Sequence, residues 1–163
     1  MQPGERVLVH AAAGGVGHFA VQIAAALGAH VVGTASAANH DRLRALGAEE
    51  VIDYADGPVS KQLVEPVDAV LDLVGGDALD DAPNQLRGGT RVASVVDADK
   101  VLELGGTYVF VRPSRENLDA LTRLVDTGKL RVEVAATYPL DRVADAHRAS
   151  EEGHARGKIV VTL

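Results

Sequence analysis

The sequence predicts an α/β fold: a doubly wound, mostly parallel sheet with helices on both faces, extended by a C-terminal strand–helix–strand segment. Three observations carry this expectation. Apolar, β-branched runs alternate with helix-period segments along the whole chain. The runs are apolar at successive positions, as in strands covered on both faces, rather than at every second one. The first run enters a glycine-rich turn that opens directly into a helix-period stretch.

Taken in order, RVLVHA (6–11) reads as a buried strand. A helix follows with Val16, Ala20, Ile23 and Leu27 on one face, and Gly28 is placed to end it. HVVGTA (30–35) is the second strand. Asn39 is a candidate cap for a short helix with Leu43 and Leu46 inward, stopped by Gly47. EVIDY (50–54) is the third strand and DAVLDLV (68–74) the fourth, ending at Gly75-Gly76. TRVASVV (90–96) and TYVFV (107–111) are the fifth and sixth. Ser114 then caps a helix with Leu118, Leu121, Leu124 and Val125 inside and Gly128 after it. RVEVAATY (131–138) and KIVVTL (158–163) are further strands around a helix that starts at Asp141 and ends before Gly153.

Composition narrows the function. With 163 residues the chain can bury a core of its own, and with 3% aromatics and no Trp that core is built from Val, Leu, Ile and Ala. The formal net charge of −7 argues against a nucleic-acid-coating role, which requires a basic face. The absence of Cys removes disulfides and thiolate metal ligands from this chain and fits a cytoplasmic protein. No signal peptide is expected from the polar start. The longest apolar stretch is interrupted by Gln22 and His30, so no membrane span is expected either.

A strand–glycine turn–helix unit is how a dinucleotide pyrophosphate is held, because the helix start offers unpaired N–H groups and a partial positive charge. In a G-x-G-x-x-G spacing the glycines would fall at 12, 14 and 17; here these are Ala12, Gly14 and Gly17, with Gly15 in addition. The alternative is a turn that needs glycine only for tight helix–sheet packing.

The end of the second strand is informative by what it lacks. An Asp or Glu there would bind the ribose 2′-hydroxyl of NAD. The chain instead has Gly33-Thr34-Ala35-Ser36. A serine can donate to a 2′-phosphate, His40 or Arg42 can add positive charge, and Tyr54 a hydroxyl. This favours NADP(H) over NAD(H). The alternative for His40 and Arg42 is a solvated helix face.

Other constellations carry less. His147 and His154 stand seven apart without a third ligand in register, and no H-E-x-x-H or G-x-S-x-G run occurs. His18, in the first turn of its helix, is close enough to a phosphate site to be considered, with packing as its simpler role. The acidic cluster Asp77, Asp80 and Asp81 reads as a helix start. Asp72, inside a buried strand, requires a hydrogen-bond partner and reads as a cap on a neighbouring loop. No catalytic residue and no metal ligand is assigned.

The run GERVLVHAAAGGVGHFAVQIAAALGAHVVGTAS (4–36) resembles the cofactor domain of the medium-chain dehydrogenase/reductase superfamily. It is most similar to the zinc-independent quinone oxidoreductase branch, with A-A-x-G-G-V-G in place of the all-glycine turn. LRALGAEEVIDY, VDAVLDLVGGD, LRGGTRVAS, FVRPS and YPLDRVADAHRASEEGHARGKIVV extend the resemblance over nearly the whole chain.

The resemblance implies a Rossmann dinucleotide-binding domain over 1–112 and a C-terminal return segment over 113–163, with the N-terminal GroES-like catalytic domain absent. It implies NADPH as cofactor and hydride transfer to a quinone, enone or other activated carbonyl compound. Gly14, Gly15, Val16 and Gly17 match the pyrophosphate turn, Ser36 the 2′-phosphate serine, and Tyr54 the tyrosine after the third strand. His40 falls where relatives often carry Lys. Val74 falls near the adenosine half, and Phe110 and Val111 at the nicotinamide end. A homodimer through strand 107–111 is implied as well. With no neighbours from the absent domain, strands 131–138 and 158–163 pair with each other, cover a sheet edge or recruit a second chain. The alternatives to an enzyme part of this kind are a non-catalytic nucleotide-binding module and an enoyl reductase module of a larger biosynthetic enzyme.

Overall fold

The computed structural model describes residues 1–153 and 155–163; His154 lies outside the described residues. Six parallel strands form one sheet: β1 (Arg6–Val9), β2 (His30–Thr34), β3 (Glu50–Ile52), β4 (Ala69–Asp72), β5 (Val92–Ser94) and β6 (Thr107–Tyr108). Their order is β3-β2-β1-β4-β5-β6, so the direction of winding reverses between β1 and β4. β1 registers on both neighbours at once, with Leu8 opposite Val32 and Val70.

Alternation of side chains along β1 divides the core in two. Val7 and Val9 point to one face, with Val21, Ala24 and Leu43 of helices α1 (Gly17–Ala26) and α2 (His40–Ala45). Leu8 points to the other, with Leu79, Ala82 and Val101 of α3 (Gly76–Asp80), α4 (Ala82–Gln85) and α5 (Ala98–Glu103). The sheet is thus doubly wound, as its continuous apolar strands require.

The strands are shorter than the apolar runs that announced them, since the last residues of each run leave the ladder to form the turn beyond. The sixth run shows this most. Only Thr107 and Tyr108 pair; Val109 donates one last hydrogen bond to the Ser94 carbonyl at 2.8 Å, and Phe110 and Val111 are 71% and 77% exposed. The expected strand over 107–111 is therefore a two-residue strand with an exposed apolar extension.

Three side-chain assignments differ from the periodicity. The buried face of α1 is Gly17, His18, Val21, Gln22 and Ala24, while Val16 and Leu27 are exposed. Val16, Ala20 and Ile23 border an apolar hollow of about 600 Å³ over β1, β4 and β5. Helix α6 (Arg115–Asp126) buries no residue: Leu118 is 63% exposed, and Leu121 and Val125 are also exposed, because no described element covers its apolar stripe. Asn39 occupies the N-cap of α2 without capping it, its amide Nδ2 donating instead to Ser36 Oγ at 3.0 Å. Ser114 does cap α6, accepting from the Asn117 N–H at 3.2 Å.

The C-terminal segment forms a second, two-stranded parallel sheet, β7 (Val134–Pro139) with β8 (Lys158–Thr162), joined through α7 (Val143–Glu151). Of the three arrangements open to these strands, the structure takes mutual pairing.

Candidate dinucleotide site

The turn from β1 into α1 is built by close approach. A Cβ at Gly17 would stand 2.2 Å from the Ala11 carbonyl oxygen and 2.7 Å from the Ala12 backbone, so α1 packs on the strand only with glycine here. Ala12 is fully buried beneath Gly33, whose Cβ would lie 3.0 Å from the Ala12 methyl. Ala11 turns the chain at φ +47°, a left-handed conformation that costs a non-glycine residue about 1 kcal/mol. The turn is therefore a built feature, held by Ala11 N–H to Thr34 Oγ1 at 3.2 Å and Ala12 N–H to the Thr34 carbonyl at 3.0 Å.

Ahead of the helix, the N–H groups of Gly15 and Val16 find no acceptor among the described residues. Val16 is half exposed. A Cβ at Gly15 would meet the Gly157 carbonyl at 3.2 Å and Lys158 Nζ at 3.6 Å, so the C-terminal segment forms one wall of the turn. Lys158 also stands 5.6 Å from the Phe19 ring centroid and forms no ion pair among the described residues. Bare backbone, free N–H groups and an unpaired cation at the start of a ten-residue helix fit a pyrophosphate.

A cleft of about 870 Å³ opens beside this turn, at the carboxyl ends of the strands where their order reverses. Ala11 and Thr34 line it from one side, Val74 and Asp77 from another, and Tyr54 closes it from β3. Ser36 and His40 stand at the β2 corner, with His40 Nε2 hydrogen-bonded to the Ala35 carbonyl at 3.2 Å. Phe110 and Val111 follow β6, three strands along from β1. The structure thus joins Tyr54 and Val74 to the cleft, sets Ser36 and His40 just past the end of β2 outside its lining, and leaves Phe110 and Val111 at the sheet edge.

Arg42 takes a different part from the one its position suggests. Its guanidinium donates to the Ala13 carbonyl at 3.2 Å and the Arg156 carbonyl at 2.9 Å, and pairs with Glu133 at 3.3 Å. It ties the C-terminal segment to the glycine turn.

His18 is fully buried. Its Nδ1 donates to the Gly14 carbonyl at 3.0 Å, and Nε2 faces the Glu133 N–H at 3.4 Å. That pairing assigns the neutral Nδ1–H tautomer, and burial pushes its pKa below the usual imidazole value. His10 is also buried, on Gln85 Oε1 at 3.1 Å, with its pKa lowered by burial. Asp72, fully buried, accepts from Ser94 Oγ at 2.7 Å, from the Val74 N–H at 3.1 Å and from the Gly75 N–H, and so shapes the loop that carries Val74.

Sequence reasoning singled out neither Lys158 nor Asp53, although both lie within runs carrying the family resemblance. Among the described residues no group of three His, Asp or Glu side chains is placed to hold a metal ion.

A parallel doubly wound sheet with a bare, donor-rich turn at its switch point is the architecture of a Rossmann-like α/β domain. The chain belongs to the zinc-binding dehydrogenase family of the medium-chain dehydrogenase/reductase superfamily, whose family profile matches residues 46–161. It is 37% identical to the mitochondrial NAD(P)H oxidoreductase RTN4IP1 of Homo sapiens, over 98% of this chain and 48% of that protein. It is 36% identical to a stretch of the polyketide synthase GfsB of Streptomyces halstedii, covering all of this chain and 3% of the synthase. Among solved structures, the quinone oxidoreductase of Coxiella burnetii superposes with a TM-score of 0.92 at 37% identity, over 99% of this chain and 54% of that one. The chain spans about half the length of RTN4IP1.

Proposed function

We propose that this chain is the cofactor-binding part of an NAD(P)H-dependent oxidoreductase that reduces quinones, enones or related activated carbonyl compounds. The observation that carries the reading is the turn at Gly14–Gly17, with its free Gly15 and Val16 N–H groups, following β1 where the strand order of the sheet reverses. The nicotinamide supplies the hydride. Gly14, Gly15, Val16 and Gly17 would receive the pyrophosphate, with Lys158 as its cation. Tyr54 and Val74 would flank the adenosine, and Ser36 and His40 its ribose corner. Phe110 and Val111 would meet the nicotinamide end.

NADPH is the expected form, because β2 ends in Ser36 without a carboxylate. The A-A-x-G-G-V-G turn supports the zinc-independent branch. We read 1–112 as the dinucleotide-binding domain and 113–163 as the return segment, the substrate wall of the cleft coming from a GroES-like domain outside this chain. The exposed apolar edge at Val109, Phe110 and Val111 supports a homodimer through 107–111. Composition keeps a cytoplasmic location as the expectation; no helix among the described residues is long and apolar enough to cross a membrane. The net charge of −7 speaks against a nucleic-acid partner.

A second reading, an enoyl reductase module of a larger synthase, is favoured by the match of the whole chain to a short stretch of GfsB. Calorimetric titration with NADPH and NADH tests the site that both share. Saturable binding that is lost in Gly15→Val supports it; no binding of either cofactor to the unaltered chain sinks it. Turnover with quinones against enoyl thioesters then separates the two readings.

A further inference from the structure

The corner where β2 passes into α2 holds a carboxylate that β2 itself does not supply. Asp53, one residue past β3, reaches back so that Oδ2 accepts the Ala37 N–H at 2.8 Å, while Oδ1 accepts the Ala55 N–H at 2.9 Å. Ala37 follows Ser36 directly, so this charge lies within about 7 Å of the Ser36 side chain. The Ala37 N–H, a backbone donor beside Ser36, is already taken by that carboxylate.

The neighbouring groups do not offset that charge. Asn39 Nδ2 is spent on Ser36 Oγ, and Asn39 Oδ1 is buried without a donor. His40 Nε2 is spent on the Ala35 carbonyl. Arg42, the cation the local sequence offers, is held by the Ala13 and Arg156 carbonyls and by Glu133. A 2′-phosphate brings acceptor oxygens and a charge of about −1.5 to −2, whereas a 2′-hydroxyl brings a donor. The corner thus sets a carboxylate beside the donors that remain, the Ser36 N–H and O–H.

We propose that Asp53 is a specificity-determining residue: its carboxylate, delivered from β3, favours an unphosphorylated adenosine ribose and restrains the NADPH preference that Ser36 would otherwise confer. A carboxylate from a neighbouring strand then does what one at the end of β2 does in NAD-binding domains. The proposal rests on the reading of the glycine turn as a dinucleotide site.

The test is titration of the chain and of Asp53→Asn with NADPH and with NADH. The NADPH-to-NADH affinity ratio is expected to rise about fivefold or more in the variant, as one repulsive charge is removed at short range. A ratio within twofold of the unaltered chain overturns the proposal. Asp53 also supports a turn, so a second measurement uses the unaltered chain alone. Raising the salt concentration screens the repulsion, and the same ratio is expected to rise; a flat or falling ratio overturns the proposal. Binding of neither cofactor is a separate outcome, which removes the dinucleotide reading and this proposal with it.

Discussion

Gln22 holds the backbone of Arg131 by both of its polar groups: its side-chain Nε2 donates to the carbonyl at 3.0 Å, and its Oε1 accepts the N–H at 2.9 Å. The two residues are 109 positions apart, and the glutamine is buried within α1. A side-chain amide here takes the place of a neighbouring strand, satisfying the chain just before β7. Leu130 is buried alongside, so the C-terminal segment reaches the glycine turn from an anchored start.

Replacing Gln22 by Leu is therefore expected to cost about 1–2 kcal/mol, since it removes two part-buried hydrogen bonds to the Arg131 backbone. Urea unfolding measures the loss. Limited proteolysis should cut between 127 and 133 faster in the variant, and unchanged stability would show that the pair contributes nothing.

Gly17→Ala is expected to destabilise by about 3 kcal/mol, because the new Cβ meets backbone that cannot yield. Gly28→Ala makes a useful comparison. There the backbone is left-handed at φ +82°, but the nearest atom is the Pro3 Cβ at 3.3 Å, and the expected cost is about 1 kcal/mol. Thermal melts that rank the two in the opposite order would contradict the packing argument.

The buried histidines make stability fall with acidity. Burial lowers the folded-state pKa of both His10 and His18 below the ordinary 6.5. Below that value the unfolded chain binds protons that the folded chain does not, so stability is fully present above pH 6.5 and is lost as pH falls toward the folded values. The melting temperature should drop between pH 7.5 and pH 5. The drop should shrink in His10→Asn, whose side chain does not titrate there.

Helix α6 offers the converse case. Leu118→Gln and Val125→Gln should leave stability within about 0.5 kcal/mol, because neither side chain is buried. Leu79→Ala, at a fully buried position in the second core, should cost about 3 kcal/mol. If the α6 variants also weaken self-association in sedimentation, the stripe contributes to a contact with another chain.

The alternation of strands and helices was legible in residues 6–111, and so was the turn at Gly14–Gly17. Each depends on neighbours within a few positions: branched apolar runs suit a strand covered on both faces, and glycine admits a close helix. Asp72 was legible too, since a carboxylate inside an apolar run demands partners, and it finds Ser94 and the loop after β4. The length of β6 was not, because an edge strand pairs only as far as its single neighbour extends.

Local pattern therefore determined the fold class and the place of the glycine turn. Tertiary structure alone decided which polar groups meet across long stretches of chain: His18 and Gln22 turned inward on α1, Arg42 and Lys158 set against the turn, and Asp53 returned to the Ser36 corner. Periodicity records which face of an element is apolar. It does not record which distant backbone group a buried amide, imidazole or carboxylate will satisfy, and that pairing is settled only when the elements pack.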